Sequence, residues 1–161
     1  AGLQHNQPIQ AYIRNNPGFH LLHHPQPLIL IGNGTGIAGL VAHLKQREQW
    51  SYRQNWLIFG ERQQQFDDLY HAEIQYWQQH SFLQHVDYAF SRDQAEKIYV
   101  QDMLKQQSAR LKQWIEQGAA VYVCGSLNGM ASGVDQVLKE ILGNELVEQV
   151  RYEQRYQRDV Y

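Results

Sequence analysis

The stretch PLILIGNGTGIAGL, Pro27 to Leu40, joins a short apolar run to a glycine-rich loop and then to the start of a helix. Leu28–Ile31 is apolar throughout, the pattern of a strand buried on both faces of a parallel sheet. Gly32, Gly34, Gly36 and Gly39 follow, so a ligand at the strand's end can approach bare main chain. The helix beyond would point unpaired N–H groups and the positive end of its dipole at that ligand, which suits phosphate. In this order the segment reads as a nucleotide pyrophosphate site.

Outward from it, strands and helices alternate. A helix runs from Ile37 to about Gln49, and Trp56–Phe59 is the second strand. Phe66 to His80 repeats apolar residues at helical spacing, and Val86–Phe90 is a third strand. One long helix is predicted from Val100 to Gln117, with Leu104, Leu111, Trp114 and Ile115 as its stripe and Gly118 as its C-cap. Val121–Val123 is the fourth strand, Met130 to Leu142 a further helix, and Glu145–Val150 another turn or two. The tail RYQRDVY is read as an edge strand. Strand and helix in alternation imply right-handed crossovers, hence an α/β fold with an open, doubly wound parallel sheet of about five strands and helices on both faces. Residues 1–26 fall outside the pattern: Gln7–Ile13 resembles a strand, Asn15-Asn16-Pro17-Gly18 a turn, and Pro25 and Pro27 a linker. They read as the tail of a preceding domain or a strap on the sheet, with the nucleotide domain at 27–161. A chain that opens mid-fold points to a piece of a longer protein.

Composition excludes several functions. The chain has 161 residues, enough for one domain with a covered sheet, and a net charge of −2, which argues against general nucleic-acid binding. Its one cysteine, in the apolar run VYVCG, cannot form an internal disulfide and reads as a buried thiol. The eight histidines are scattered without metal-ligand spacing, and no apolar run has the length of a membrane span.

The residues support two choices of nucleotide. Gly34-x-Gly36-x-x-Gly39 matches a dinucleotide fingerprint, and Glu61 closes the second strand where a ribose-reading acid would stand, which predicts NAD. The third strand instead ends in Ser91-Arg92-Asp93-Gln94, followed by Lys97, Tyr99 and Gln101. A hydroxyl, a guanidinium and an ammonium at one strand end suit a dianionic phosphate, and the aromatic ring and amide beyond suit a purine, which predicts NADP. On spacing alone the same residues also read as a polar loop leading into a helix.

GTGIA, SRDQxxKxYVQ, YVCG and the aromatic tail RYQRDVY together resemble the NADPH-binding domain of the ferredoxin–NADP reductase superfamily. Within it the chain is similar to the dual-flavin branch typified by the sulfite reductase flavoprotein subunit, including a bacterial group linked to flavodoxin and PepSY segments. The resemblance runs from about Phe19 to Tyr161 and tips the choice to NADP(H). It implies that Gly34, Thr35 and Gly36 contact the pyrophosphate or nicotinamide. Ser91, Arg92 and Lys97 would take the 2′-phosphate, and Tyr99 and Gln101 the adenosine. Arg62, Gly125 and Met130 join the cofactor-binding set. Tyr161 would cover the isoalloxazine of FAD and move aside for nicotinamide, with Ser126 beside the hydride-transfer point.

The chain departs from the pattern at several positions. Glu61 stands where several relatives carry Cys, Ser126 and Gly133 where they carry Asp, and Gly39-Leu40 where they carry Pro-Phe. Asp135, two residues past Gly133, is expected to face elsewhere. Losing the carboxylate at Ser126 removes a charge that would stabilise a developing nicotinamide cation. The resemblance implies hydride transfer from NADPH to FAD and onward electron flow to FMN or another acceptor. The flavins would be held by FAD-binding and flavodoxin-like domains of the parent, so this chain alone would bind nucleotide without turning it over. The implied setting is cytoplasmic, or the cytoplasmic face of the inner membrane if the parent is anchored. A non-catalytic nucleotide-sensing module and an NAD-preferring reductase domain are the alternatives.

Overall fold

The computed structural model describes residues 16–61, 70–91 and 97–161. Its five strands are β1 (Leu28–Asn33), β2 (Asn55–Glu61), β3 (Leu83–Phe90), β4 (Ala120–Gly125) and β5 (Tyr156–Val160). They form one sheet in the order β3-β2-β1-β4-β5, with all four pairings parallel. The helices are α1 (Ile37–Gln49), α2 (His71–Gln79), α3 (Val100–Gln106), α4 (Ser108–Glu116), α5 (Ser132–Leu142) and α6 (Asn144–Tyr152). The chain leaves β1 toward β2 and β3 on one side and returns to place β4 and β5 on the other, so the strand order reverses between β1 and β4. This is the doubly wound fold that the alternation predicts.

The apolar runs are continuous because each strand feeds two cores. Ile29, Ile31, Trp56, Ile58, Val121 and Val123 face α3, α4, α5 and α6. Leu28, Leu30, Leu57, Phe59, Tyr122 and Cys124 alternate with them to face α1 and α2. On the first face, Trp56 meets Trp114 edge-on at 5.7 Å and donates from its indole nitrogen to the Asp87 carboxylate at 2.6 Å. Arg110 completes that cluster, stacked 5.2 Å over Trp56 and 3.3 Å from Asp87.

At the amino ends of the strands, Arg47 is only 1% exposed. Its guanidinium donates to Asn55 Oδ1 at 2.5 Å and to the Gln26 carbonyl at 2.8 Å. Asn55 in turn donates to the carbonyls of Tyr52 and Phe82 at 2.8 and 3.0 Å. These bonds satisfy a buried cation and staple α1 to three connecting segments, far from the glycine loop.

Residues 16–26 lie as a strap on the α1 side. Phe19 is buried beside His43 and Tyr122, and the Tyr122 hydroxyl donates to the His20 carbonyl at 2.9 Å. The strand expected at 7–13 lies outside the described residues.

Three boundaries differ from the sequence expectation. The long helix over 100–117 is two helices, interrupted at Gln107, whose φ of −99° and ψ of 24° leave the helical region. The third strand starts at Leu83, three residues early, because alternation through Gln84, His85 and Asp87 makes it look polar. The helix expected from Met130 begins at Ser132, after a wide turn in which Asn128 and Gly129 are non-helical. Of the helix expected over Phe66–His80, His71–Gln79 is seen, and 66–69 lie outside the described residues.

Candidate nucleotide site

A cavity of about 630 Å³ opens at the carboxyl ends of the strands, beside the point where strand order reverses. That is where open α/β sheets bind ligands, because flanking loops turn away in opposite directions and leave a crevice. Its floor is Asn33 and Gly34 from the end of β1 and Gly60 and Glu61 from the end of β2. Ala89, Ser91, Tyr99 and Gln101 line it further, as do Asn128, Gly129 and Met130 from the turn before α5.

The glycines of the loop divide by role. Gly34 has φ +54° and open space where a Cβ would be, so its main chain is bare to the cavity. Gly32 and Gly36 are glycine for a different reason. A Cβ would fall 2.5 Å from the Cys124 carbonyl oxygen at Gly32 and 2.3 Å from it at Gly36, so both are consumed in packing against β4. Gly36 is buried and is not among the residues that line the cavity. Beneath the loop, burial pushes the Cys124 thiol up to about 11, with Asp159 adding to the effect, so the thiol is inert and neutral.

β4 ends in a second special turn. Gly125 has φ +136°, and a Cβ there would stand 2.3 Å from Asn33 Oδ1. That same oxygen accepts the Ser126 N–H at 3.0 Å, tying the ends of β1 and β4 together. The Ser126 hydroxyl donates to the Asn128 carbonyl at 2.8 Å, so it shapes the turn. Gly125 and Ser126 thus support the cavity wall, whereas Met130, 6% exposed, forms part of it. Tyr161 follows β5. Its N–H donates to the Gly125 carbonyl at 3.1 Å, its carbonyl accepts from Leu127 N–H at 2.8 Å, and its phenol hydrogen-bonds the Thr35 hydroxyl.

Ser91 N–H donates to the Glu61 carbonyl at 3.0 Å, so the residues behind the NAD and NADP readings sit side by side. Tyr99 is 45% exposed, and the Asp102 carboxylate accepts its N–H at 2.9 Å, fixing the start of α3. Gln101 lines the cavity with its side-chain oxygen buried and unpartnered among the described residues. Lys97 is exposed outside the lining. Arg62 and Arg92 lie outside the described residues. Asp135 faces away, as expected: it pairs with Lys139 at 3.0 Å and with Arg151, and accepts from the Tyr156 hydroxyl at 3.2 Å. Sequence reasoning missed Asn33, Gly60 and Asn128. A polar residue closing an otherwise apolar strand was the available signal for Asn33.

A parallel sheet wound both ways from β1, with a glycine turn and a polar-walled crevice at its reversal point, defines a nucleotide-binding α/β domain of the ferredoxin reductase type. The chain belongs to the oxidoreductase NAD-binding domain family, whose model matches residues 30–136. It is 44% identical over 165 residues to the sulfite reductase (NADPH) flavoprotein alpha-component of Yersinia enterocolitica serotype O:8, the match covering 95% of this chain and 28% of that protein. The protein of the same name from Yersinia pestis is also 44% identical over 165 residues, with 95% of this chain and 27% of the relative covered. That of Mannheimia succiniciproducens is 42% identical over 168 residues, covering 95% and 28%. The chain therefore spans little more than a quarter of the length of these relatives. Among the described residues no helix is long and apolar enough to cross a membrane.

Proposed function

We propose that this chain binds NADP(H) and presents its nicotinamide to an FAD carried by another domain of the same parent protein, from which electrons pass to FMN or a further acceptor. The observation that carries the reading is the crevice itself: Gly34 on its floor, with Ser91, Tyr99 and Gln101 lining it, at the reversal point of the sheet. These residues fit a nucleotide. Gly34 leaves room for a pyrophosphate against its main chain, and the buried, unpartnered oxygen of Gln101 is an acceptor for a ligand donor.

When bound, the reduced nicotinamide supplies a hydride to a flavin. The chain's own residues bind and orient. Ser91 and Lys97 bracket Arg92, and the three would take the 2′-phosphate. Tyr99 would face the adenosine. Thr35 and Tyr161 are joined through their hydroxyls, and with Ser126 they would set the nicotinamide end. With a hydroxyl at Ser126 where the resemblance implies a carboxylate, the domain contributes orientation more than charge stabilisation. A cytoplasmic setting, where reduced nucleotide is supplied, goes with this reading.

A second reading has its own observation. Glu61 lines the crevice beside Ser91, and a carboxylate there would accept the 2′-hydroxyl of NAD and repel a 2′-phosphate. Calorimetry of NADP⁺, NAD⁺ and 2′-phospho-AMP against the chain separates the two. The proposal expects NADP⁺ and 2′-phospho-AMP to bind and NAD⁺ to bind at least tenfold more weakly, about 1.4 kcal/mol. Equal affinity for both dinucleotides would overturn the NADP assignment, and no binding of any would overturn the site.

A further inference from the structure

Gln101 and Gly133 meet at the edge of the crevice. Gln101 stands in the first turn of α3 and Gly133 in the first turn of α5. A Cβ at position 133 would lie 3.1 Å from both Cδ and Nε2 of Gln101 and 3.4 Å from its Cγ. Unlike Gly34 and Gly125, Gly133 adopts no left-handed backbone, so its own main chain does not require glycine. The tight approach is to its neighbour's side chain, which would have to give by a few tenths of an ångström. The Gln101 side chain does not hold its place through its oxygen, which is buried without a partner among the described residues. The amide lies against the bare start of α5.

We propose that Gly133 is a positioning residue of the nucleotide site: its missing side chain is the seat in which the Gln101 amide lies. That seat keeps the crevice wall set back and the amide oxygen ready for a donor on the nucleotide. The inference rests on the nucleotide reading above. A side chain at 133 forces one partner to move. The backbone of α5 is anchored by buried Val134, Val137 and Leu138, whereas glutamine is flexible, so the amide yields. The open space beside it is the crevice that Gln101 lines. Helix propensity argues the other way, since alanine is favoured over glycine inside a helix. Without Gln101, alanine at 133 would be harmless or stabilising.

The test is a double-mutant cycle in the full-length, flavin-loaded protein, with Gly133→Ala, Gln101→Ala and the pair. NADP⁺ and 2′-phospho-AMP are titrated by calorimetry. Gly133→Ala should weaken both ligands roughly 5- to 20-fold when Gln101 is present. In the Gln101→Ala background the same change should cost under about twofold. If Gly133→Ala alone fails to fold while the double variant folds, the clash is again located at this pair. Equal losses in both backgrounds, no loss in the first, or failure of both variants to fold would overturn the proposal. A wild type that binds neither ligand would overturn the nucleotide reading as well, whereas wild-type binding without coupling would sink only the role of Gly133.

Discussion

The hydroxyl groups of Thr35 and Tyr161 hydrogen-bond to each other, joining the glycine turn to the residue after β5. Main-chain bonds from Tyr161 to Gly125 and Leu127 fix where the phenol can reach. A Thr35 hydroxyl engaged by Tyr161 is less available to a nucleotide phosphate or carboxamide.

The two ends of this bond should therefore respond in opposite directions. Tyr161→Phe frees the threonine and should tighten NADP⁺ binding about 2- to 10-fold, the range of one ordinary hydrogen bond. Thr35→Val removes the shared group and should weaken binding by a similar factor. Calorimetry on both variants checks the pair. A loss of affinity in Tyr161→Phe would mean that the phenol supports the bound nucleotide and does not compete with it.

The glycines of the loop should differ in what they tolerate. Gly36→Ala drives a Cβ to 2.3 Å from a carbonyl oxygen of β4, and neither backbone can yield without opening the sheet. Its destabilisation should be at least about 3 kcal/mol, enough to reduce soluble yield. Gly34→Ala meets open space and bears only the left-handed backbone cost, about 1–2 kcal/mol. Urea unfolding of the two variants decides the matter. Comparable losses would contradict the division of roles.

That division marks how far the sequence could be read. The order of elements was legible because strands buried on both faces leave continuous apolar runs, and even the charged tail was recognisable as the edge strand β5. The glycines announced a tight turn, yet Gly32 and Gly36 answer to Cys124, about ninety positions later, and no local pattern reveals that contact. The break at Gln107 was hidden for a related reason: Leu104 and Leu111 keep helical spacing across it, so periodicity alone reads one helix. Ser91, Tyr99 and Gln101 were legible in the polar run after the third strand and again through motif resemblance, and they line the crevice. Ser126 was found the same way, but its hydroxyl turns into its own loop, which a motif cannot foresee.

Stability should fall in mild acid because of His43. Burial between Phe19 and Tyr122, with nearby His20 as a lesser electrostatic contribution, lowers its pKa from 6.5 to about 4. Its Nε2 is buried without a partner among the described residues, so a proton there would be unsatisfied. The unfolded chain takes up that proton near 6.5 and the folded chain only near 4, so unfolding binds protons between them. Stability is thus fully present above about pH 6.5 and declines toward pH 4, by about 3 kcal/mol in all. Urea midpoints from pH 7.5 to 4.5 should show this slope, and His43→Gln should flatten it. A slope unchanged by His43→Gln would place the titration elsewhere.

On the proposed reading, selectivity for the 2′-phosphate would turn on the segment between Ser91 and Lys97. Arg92 lies there in sequence, one residue beyond the end of the crevice wall that Ser91 forms. A guanidinium forms paired, charge-assisted bonds to a dianionic phosphate, each worth about 1.5–3 kcal/mol. Arg92→Ala should then weaken NADP⁺ and 2′-phospho-AMP by about 10- to 100-fold, a loss of about 1.4–2.7 kcal/mol, less than the gross bond energy because water replaces the lost donor. NAD⁺ has no phosphate at that position, so its affinity should move by under about twofold. Glu61 supplies the opposing term: Glu61→Gln removes a carboxylate from the same crevice and should improve NADP⁺ binding while leaving NAD⁺ unchanged or weaker. Calorimetry of both dinucleotides against the two variants yields four affinities. The phosphate assignment requires that Arg92→Ala and Glu61→Gln shift the NADP⁺ to NAD⁺ ratio in opposite directions, and a shared loss for both dinucleotides in Arg92→Ala would refute it.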